Sequence, residues 1–412
     1  MMAGVLPTKQ QLSFLNWEMG AFFHFGIRTF YEGHQDWDGK TMDLDAFRPA
    51  KLDCDSWIRT IKEAGMAYAI LVCKHHDGFA NWPSKYTDYS VANTPWKDGQ
   101  GDVVREFVNA CRKYDIRIGL YYSPAEVGYQ KRSPKEHDDY FIDQISELLT
   151  NYGKIDYLWF DGCGSEGHEY DRKRIIQAIR SLQPGILIFN MWDPDTRWVG
   201  NEAGVADRRN SNVVSAVDFS VLAERQDNLD TERFLPTECD FRMRSRNWFY
   251  SEYDVHTVKS VEELVSLYYY SVGNGANFLV NIGPDRRGLL PEVDAGRLLE
   301  FGQEIRRRFS KPVPTTWENT EDGICIRLEE EQLINHVVLQ EDLTAGESIR
   351  AFRVFIRSGL IQRPVCVHMG AAIGHKRIIT FPAIRATEVQ IEVTEAKGDF
   401  RFLAPQVFYI RA

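Results

Sequence analysis

Short, nearly all-apolar runs alternate with longer amphipathic stretches from about Gly20 to Phe309, and this rhythm limits the fold more than any other feature of the chain. The apolar runs are Ala21–Phe25, Tyr68–Cys73, Ile116–Tyr122, Tyr157–Asp161, Ile186–Asn190 and Asn277–Ile282. Runs without an alternating polar face suit parallel strands that are covered on both sides. The segments between them, Ser56–Ala64, Val103–Lys113, Lys135–Asn151, Arg172–Leu182, Val261–Tyr270 and Val293–Arg308, carry helical periodicity. A strand–helix unit repeated over roughly 290 residues predicts an α/β chain folded as a (β/α)8 TIM-like barrel, a fold that usually takes about 250. An open doubly wound sheet is the competing architecture. It is weakened because no Gly-rich phosphate fingerprint follows the first strand. Strands six and seven give no clear signal, since the stretch from Asn210 to Asn247 is polar and irregular.

After Phe309 the texture changes. Lys311-Pro-Val-Pro-Thr reads as a linker, and short alternating runs follow: Ile324–Leu328, Leu333–Leu339, Ala351–Arg357, Val389–Val393 and Gln406–Ile410. Their spacing predicts a C-terminal β-sandwich, so the expected domains are 1–310 and 311–412. The 412 residues carry 49 Lys and Arg against 59 Asp and Glu, a net charge of −10. That balance offers no basic footprint for phosphates, so nucleic acid is not an expected partner. No run approaches about 18 consecutive apolar residues, so no membrane span is expected, and the first twenty residues lack a secretion-signal pattern. Seven scattered cysteines do not form a disulfide framework, which points to a reducing cytoplasm. Barrels often associate, and an acidic surface does not prevent a homo-oligomer.

In a barrel, polar residues at the carboxyl ends of strands read as functional. Strand one ends in Phe23-His24-Phe25-Gly26, strand two in Lys74-His75-His76-Asp77-Gly78-Phe79, and strand four in Trp159-Phe160-Asp161-Gly162. Three histidines and an aspartate could form a metal site of a barrel hydrolase. Adjacent strand residues point to opposite faces, however, which argues against His75 and His76 sharing one ion. The other chemistry is acid–base work by two carboxylates, with Asp161 delivered to the rim by an apolar strand. Its partner would be Glu202, in Arg197-Trp198-Val199-Gly200-Asn201-Glu202, or Glu238, in Pro236-Thr237-Glu238-Cys239-Asp240. Glycoside cleavage needs one carboxyl ionised and one protonated, and the Trp198 side chain beside Glu202 could desolvate an acid. A non-catalytic carbohydrate-binding protein is the third reading.

Several blocks in order resemble the retaining α-L-fucosidases of glycoside hydrolase family 29. They are Phe23-His24-Phe25-Gly26, Lys74 to Phe79 with Trp82-Pro83-Ser84, Gly119-Leu120-Tyr121-Tyr122-Ser123, and Trp159 to Gly162. Ser271-Val272-Gly273-Asn274-Gly275-Ala276-Asn277 and Asn281-Ile282-Gly283-Pro284-Asp285 continue the likeness, which spans about Trp17 to Phe309. Arg197 to Glu202, Pro236 to Asp240 and Trp248-Phe249-Tyr250 are similar to the subgroup acting on α-1,3/1,4-linked fucose. In the tail, Ile373-Gly374-His375-Lys376-Arg377-Ile378 resembles a galactose-binding-like β-sandwich, for which packing against the barrel is the favoured role.

The resemblance implies an exo-acting hydrolase of fucosylated oligosaccharides that needs no cofactor and no metal. It assigns Asp161 as nucleophile and Glu202 as acid/base, with Glu238 as runner-up. His24, His75 and His76 would bind sugar hydroxyls, and Trp159 would line the pocket. Tyr121 or Tyr122 and Trp248 would supply aromatic surface, and Arg197 would steady charge near Glu202. Asp36-Trp37 stands where the family often has Glu-Trp, so the contact of Asp36 with an axial hydroxyl is expected to differ.

Overall fold

The computed structural model describes residues 5–31, 38–165, 167–221, 223–361 and 363–411. Its barrel strands begin with β1 (Met19–Phe23), β2 (Tyr68–Lys74), β3 (Arg117–Tyr122), β4 (Tyr157–Phe160), β5 (Leu187–Phe189) and β6 (Arg197–Trp198). A hairpin of β7 (Val213–Ser220) and β8 (Ala223–Phe234) follows, and β9 (Thr237–Arg242) and β10 (Asn277–Asn281) complete the set. All neighbours in the eight-stranded sheet are parallel, in the order β5-β4-β3-β2-β1-β10-β9-β6. A bridge between Phe189 and Thr196 joins the two ends, so the sheet is a nearly closed barrel and not an open doubly wound one.

The helices are α1 (Lys9–Leu15), α2 (Cys54–Glu63), α3 (Val103–Lys113), α4 (Pro134–Asn151), α5 (Arg172–Leu182), α6 (Val261–Tyr270) and α7 (Glu292–Phe309). Their starts follow capping chemistry. Asp102 accepts from the Arg105 N–H at 2.8 Å, and Ser133 with Glu136 forms a capping box ahead of Pro134. Strand six is the two-residue β6, ahead of the polar stretch, and strand seven is β9 near that stretch's end. Two residues carry no periodicity, and the hairpin β7–β8 stands where the repeat predicts a helix. No helix follows β5 either, because only seven residues separate it from β6.

Alternation sorts the strands into two cores. Ala69, Leu71 and Cys73 face the helices, whereas Tyr68, Ile70 and Val72 fill the barrel with Phe22, Trp159 and Leu279. Gly20 lets β1 approach β2 closely, for a Cβ there would lie 2.5 Å from the Tyr68 ring. Helix α1 closes the bottom: the Phe14 ring sits 5.2 Å from that of Tyr157, and its carbonyl accepts from Asn277 at 2.8 Å.

At the centre lies Glu238, wholly buried. It accepts hydrogen bonds from the Tyr68 hydroxyl (2.6 Å), the Trp159 indole (2.8 Å) and the Tyr157 hydroxyl (3.3 Å). It makes no ion pair with a described residue. Burial, only partly offset by these donors, pushes its carboxyl up to about 7.

The C-terminal sheet is antiparallel: β11 (Thr315–Thr320), β12 (Gly323–Leu339), β13 (Ile349–Arg357), β14 (Val365–Gly370), β15 (Arg377–Ala396) and β16 (Gln406–Phe408). The two runs expected at 324–328 and 333–339 are one strand, β12, whose pairing with β15 shifts between Arg327 and Gln332. Both halves of these long strands contribute to one apolar core, with Ile324 and Ile391 from one half and Val337 and Ile379 from the other. The sheet thus doubles over as a sandwich.

The tail segment that resembles a sugar-binding sandwich is engaged with the barrel's bottom rim. The Ile378 N–H donates to the Gly273 carbonyl (3.0 Å), Arg377 donates to Asn274 (2.5 Å), and Lys376 pairs with Glu18.

Glu238 makes stability depend on pH. The folded state holds its proton up to about 7, whereas the unfolded chain releases it near the ordinary 4.5. The folded state therefore binds more protons across that window, and stability falls as pH rises, by about 1.4 kcal/mol per unit at most. Denaturant titrations should show a steeper loss between pH 5 and 7 for the native protein than for Glu238→Gln; parallel curves would refute the coupling.

Candidate functional site

Seven of the eight barrel strands deliver a residue to one cavity at the carboxyl rim, with a volume of about 320 Å³. His24 follows β1, His75 and His76 follow β2, Tyr121 lies on β3 and Asp161 follows β4. Asn190 follows β5, Trp198 ends β6, and Asp240 and Arg242 lie on β9. Asn281, at the end of β10, supports His24 from behind. Glu202, Trp248 and the hairpin residues Phe219 and Ser220 complete the wall. The floor is aromatic: Trp159 stacks on Phe189 (centroids 4.1 Å apart) and on Tyr121 (5.3 Å).

Asp161 is the best-held anion of the cavity. Its Oδ2 accepts from the Tyr121 hydroxyl (2.8 Å) and faces His76 Nε2 (3.4 Å), while Oδ1 accepts from the Cys163 N–H (2.9 Å). Burial pushes its carboxyl up, but the His76 charge and hydrogen bond, then the Cys163 and Tyr121 donors, outweigh this and hold it below the ordinary range. Its side chain stays one-quarter exposed, at 25 %.

The hydrogen-bond network sets the histidine tautomers. Ser123 donates its proton to the Ala125 carbonyl (2.6 Å), so its oxygen accepts from His76 Nδ1 (2.6 Å). His76 Nε2 is thereby turned toward the Asp161 carboxylate. Asn281 donates its amide to the Trp248 carbonyl (2.7 Å), so its Oδ1 accepts from His24 Nδ1 (2.7 Å). Burial pulls His24 down to about 3, leaving it neutral with Nε2 as an acceptor for a hydroxyl.

Opposite, Glu202 lies 3.9 Å from the Arg242 guanidinium, which sits over the Trp248 ring (5.4 Å). Asp240 accepts from the Trp198 indole (2.6 Å). Burial, and then the Glu202 charge, push its carboxyl well above the ordinary range.

Of the residues expected from sequence, His24, His75, His76, Tyr121, Trp159, Asp161, Glu202 and Trp248 converge on this cavity. Arg197 does not. It lies one residue before inward-facing Trp198, and its guanidinium donates to Asn210 (2.7 Å) and the Ser211 carbonyl (3.1 Å). The cation beside Glu202 is instead Arg242. Tyr122 likewise faces the helices, donating to Gln144 (2.7 Å), and Glu238 lies beneath the Trp159 floor. Asp36 and Trp37 fall outside the described residues.

Asp240 and Arg242 join the cavity beyond the residues expected from sequence, and the period-two spacing from Glu238 to Asp240 and Arg242 is the signal that puts all three on the inward face. His75 and His76 do not point apart as strand geometry predicts. Strand β2 ends at Lys74 after a register shift, so alternation no longer applies, and the two rings lie 4.3 Å apart in the cavity.

His75, His76 and Asp161 are close enough to hold a metal ion, with ligand atoms within 4.8 Å of one another. The donors already directed at Asp161 make it an anion satisfied by hydrogen bonds, and His76 Nδ1 is bonded to Ser123.

The comparisons with known proteins agree with this geometry. The chain is 31 % identical to Alpha-L-fucosidase 1 of Arabidopsis thaliana, over 96 % of this chain and 85 % of that protein. A candidate α-L-fucosidase of Bacteroides thetaiotaomicron superimposes with a TM-score of 0.89 at 31 % identity, covering 99 % of both chains. A glycoside hydrolase 29 family member from an unknown rumen bacterium gives 0.89 at 32 % identity, over 98 % of this chain and 77 % of the other. The family model for α-L-fucosidases matches residues 7–308, the whole barrel, and the chain belongs to that family of glycoside hydrolases.

Proposed function

We propose that this α-L-fucosidase removes terminal α-1,3- or α-1,4-linked L-fucose from oligosaccharides by a retaining double displacement. The observation that carries the reading is that Asp161, held ionised by His76, Tyr121 and the Cys163 N–H, shares one cavity with Glu202. An Asp161 oxygen attacks the anomeric carbon while Glu202 gives its proton to the departing glycosidic oxygen. A covalent fucosyl ester results. Glu202 then takes a proton from water, the hydroxide adds to the same carbon, and the ester bond breaks to release fucose and restore both carboxyls. Burial, and then the Glu202 charge, oppose ionisation of Asp240, which favours a proton being retained at that side.

The sugar has three free hydroxyls and a methyl. His24 Nε2 and His75 supply polar contacts, and Trp159, Tyr121, Phe22 and Trp248 supply the apolar wall. Glu238 makes a poor acid/base, since Trp159 separates it from the cavity and three donors surround it. The linkage reading draws on Trp198, Glu202, Asp240 and Trp248, which come from the subgroup-like blocks and form one side of the cavity. The seven cysteines are all free, which supports a cytoplasmic setting. No helix among the described residues is long and apolar enough to cross a membrane.

On an aryl α-L-fucoside, Glu202→Ala should lose about 10²–10⁴-fold in turnover and recover with azide, and Asp161→Asn should lose at least as much. NMR should show the sugar released first as the α-anomer, and turnover should survive chelators. Undiminished Asp161→Asn, a first-formed β-anomer, or rescue of Glu238→Ala in place of Glu202→Ala would overturn the assignment.

Since Asp161 must be ionised to attack, kcat/KM should hold down to a pH below the ordinary aspartate range and fall only beneath it. In His76→Gln the acid limb should move to higher pH; an unmoved limb would show that the pair does not set it. A panel of α-1,2-, α-1,3-, α-1,4- and α-1,6-fucosylated oligosaccharides should give fastest release from the α-1,3 and α-1,4 members.

A further inference from the structure

A second, larger cavity of about 870 Å³ lies on the outside of the barrel, between α6, the end of α7 and the C-terminal sheet. Its charge is the reverse of the chain's. Five arginines and two histidines line it, against the single carboxylate of Glu262, in a protein of net charge −10. Two of the arginines are neutralised locally: Arg308 by Glu304 (2.7 Å) and Arg350 by Glu347 (3.0 Å).

The other three are not. Arg208 and Arg209 are exposed and make no ion pair with a described residue. Arg377 is 5 % exposed, donates only to the neutral Asn274 side chain (2.5 Å), and keeps a buried Nε without any hydrogen-bond partner. Burial pulls its guanidinium down to about 10; Glu347 and Asp207 oppose the shift and Arg208 adds to it. A buried guanidinium left with an unused donor costs free energy that an incoming acceptor would recover.

Arginine forks match the planar or tetrahedral oxygens of carboxylate and sulfate. The volume is far beyond one inorganic ion and lies within the range for organic ligands, about 300–1,000 Å³. Tyr269 and Tyr270 add aromatic surface to the same wall, as sugar rings require.

We propose that this cleft is a second binding site, separate from the barrel mouth, for an acidic saccharide whose sulfate ester or carboxylate is held by Arg208, Arg209 and Arg377. The anion part stands on charge and burial alone. The saccharide part rests on the glycosidase reading and on the Tyr269 and Tyr270 rings of the same wall. Binding would tie the barrel to the sandwich, since Arg208 and Arg377 come from the two.

The test is calorimetry on the full chain with lactose 3′-sulfate, 3′-sialyllactose, neutral lactose and inorganic sulfate, repeated with Arg208→Ala/Arg209→Ala and with Arg377→Gln. At least one acidic lactose should bind and neutral lactose should not, with affinity falling as salt rises. The surface double variant should lose at least tenfold in affinity while hydrolysing an aryl fucoside at the native rate. Which acidic lactose binds separates sulfate from carboxylate. No binding by either, or equal binding by the double variant, would overturn the site. Inorganic sulfate binding as tightly as lactose 3′-sulfate would overturn the saccharide assignment. Since binding is read without turnover, failure of the fucosidase reading would show separately, as a native protein inactive on the aryl fucoside.

Discussion

Closure of the parallel sheet is the constraint on which the rest depends. Because all eight strands run the same way round the barrel, their carboxyl ends meet at one rim, and residues hundreds of positions apart in sequence become neighbours. His24 and Asn281 are 257 residues apart and share a 2.7 Å hydrogen bond there. The weakest part of the closure is the seam between β5 and β6, where one bridge pair joins the ends. Asn190 helps to secure it: its N–H donates to the Thr196 carbonyl (3.0 Å), and its side chain accepts from the Trp198 N–H (3.1 Å) and donates to the Asp218 carbonyl (2.7 Å). It adopts a left-handed φ of 60°, which Asn tolerates better than most residues.

The polar groups of the barrel form two tiers divided by Trp159. Above it, Asp161 is held below the ordinary range by His76 and by the Cys163 and Tyr121 donors. Below it, Glu238 accepts from Trp159, Tyr68 and Tyr157 with no cation and is pushed toward neutrality. Two carboxyls in one protein thus titrate in opposite directions, and the difference is whether a positive charge lies within reach. Through its indole N–H, Glu238 also fixes the ring that stacks on Tyr121, the residue whose hydroxyl holds Asp161.

Much of this was legible in the chain. The helices at 103–113, 172–182 and 261–270 begin and end where periodicity places them, since Asp102, Asp171 and Ser260 cap them locally. The rim residues His24, His75, His76 and Asp161 could be read because each follows an apolar run long enough to be recognised as a strand. Strand β6 could not, for two residues have no period, and the second strand of the hairpin after it is densely charged. The position of Arg197 is hidden for the same reason: without a recognisable strand there is no inward or outward face to assign. The pair of histidines escaped the alternation rule because the strand ends one residue before them.

The sequence by itself determined the layered class, the sandwich after the barrel, and the identity of the acidic and imidazole groups that end the clear strands, because these follow from local periodicity and capping. Only the tertiary structure decided that Glu202 and Asp240 share the cavity with Asp161, that Arg242 and not Arg197 stands beside Glu202, and that Glu238 lies under the floor. Such choices turn on which side of a closed sheet each side chain takes and what charge it meets there, and neither is encoded in a residue's immediate neighbours.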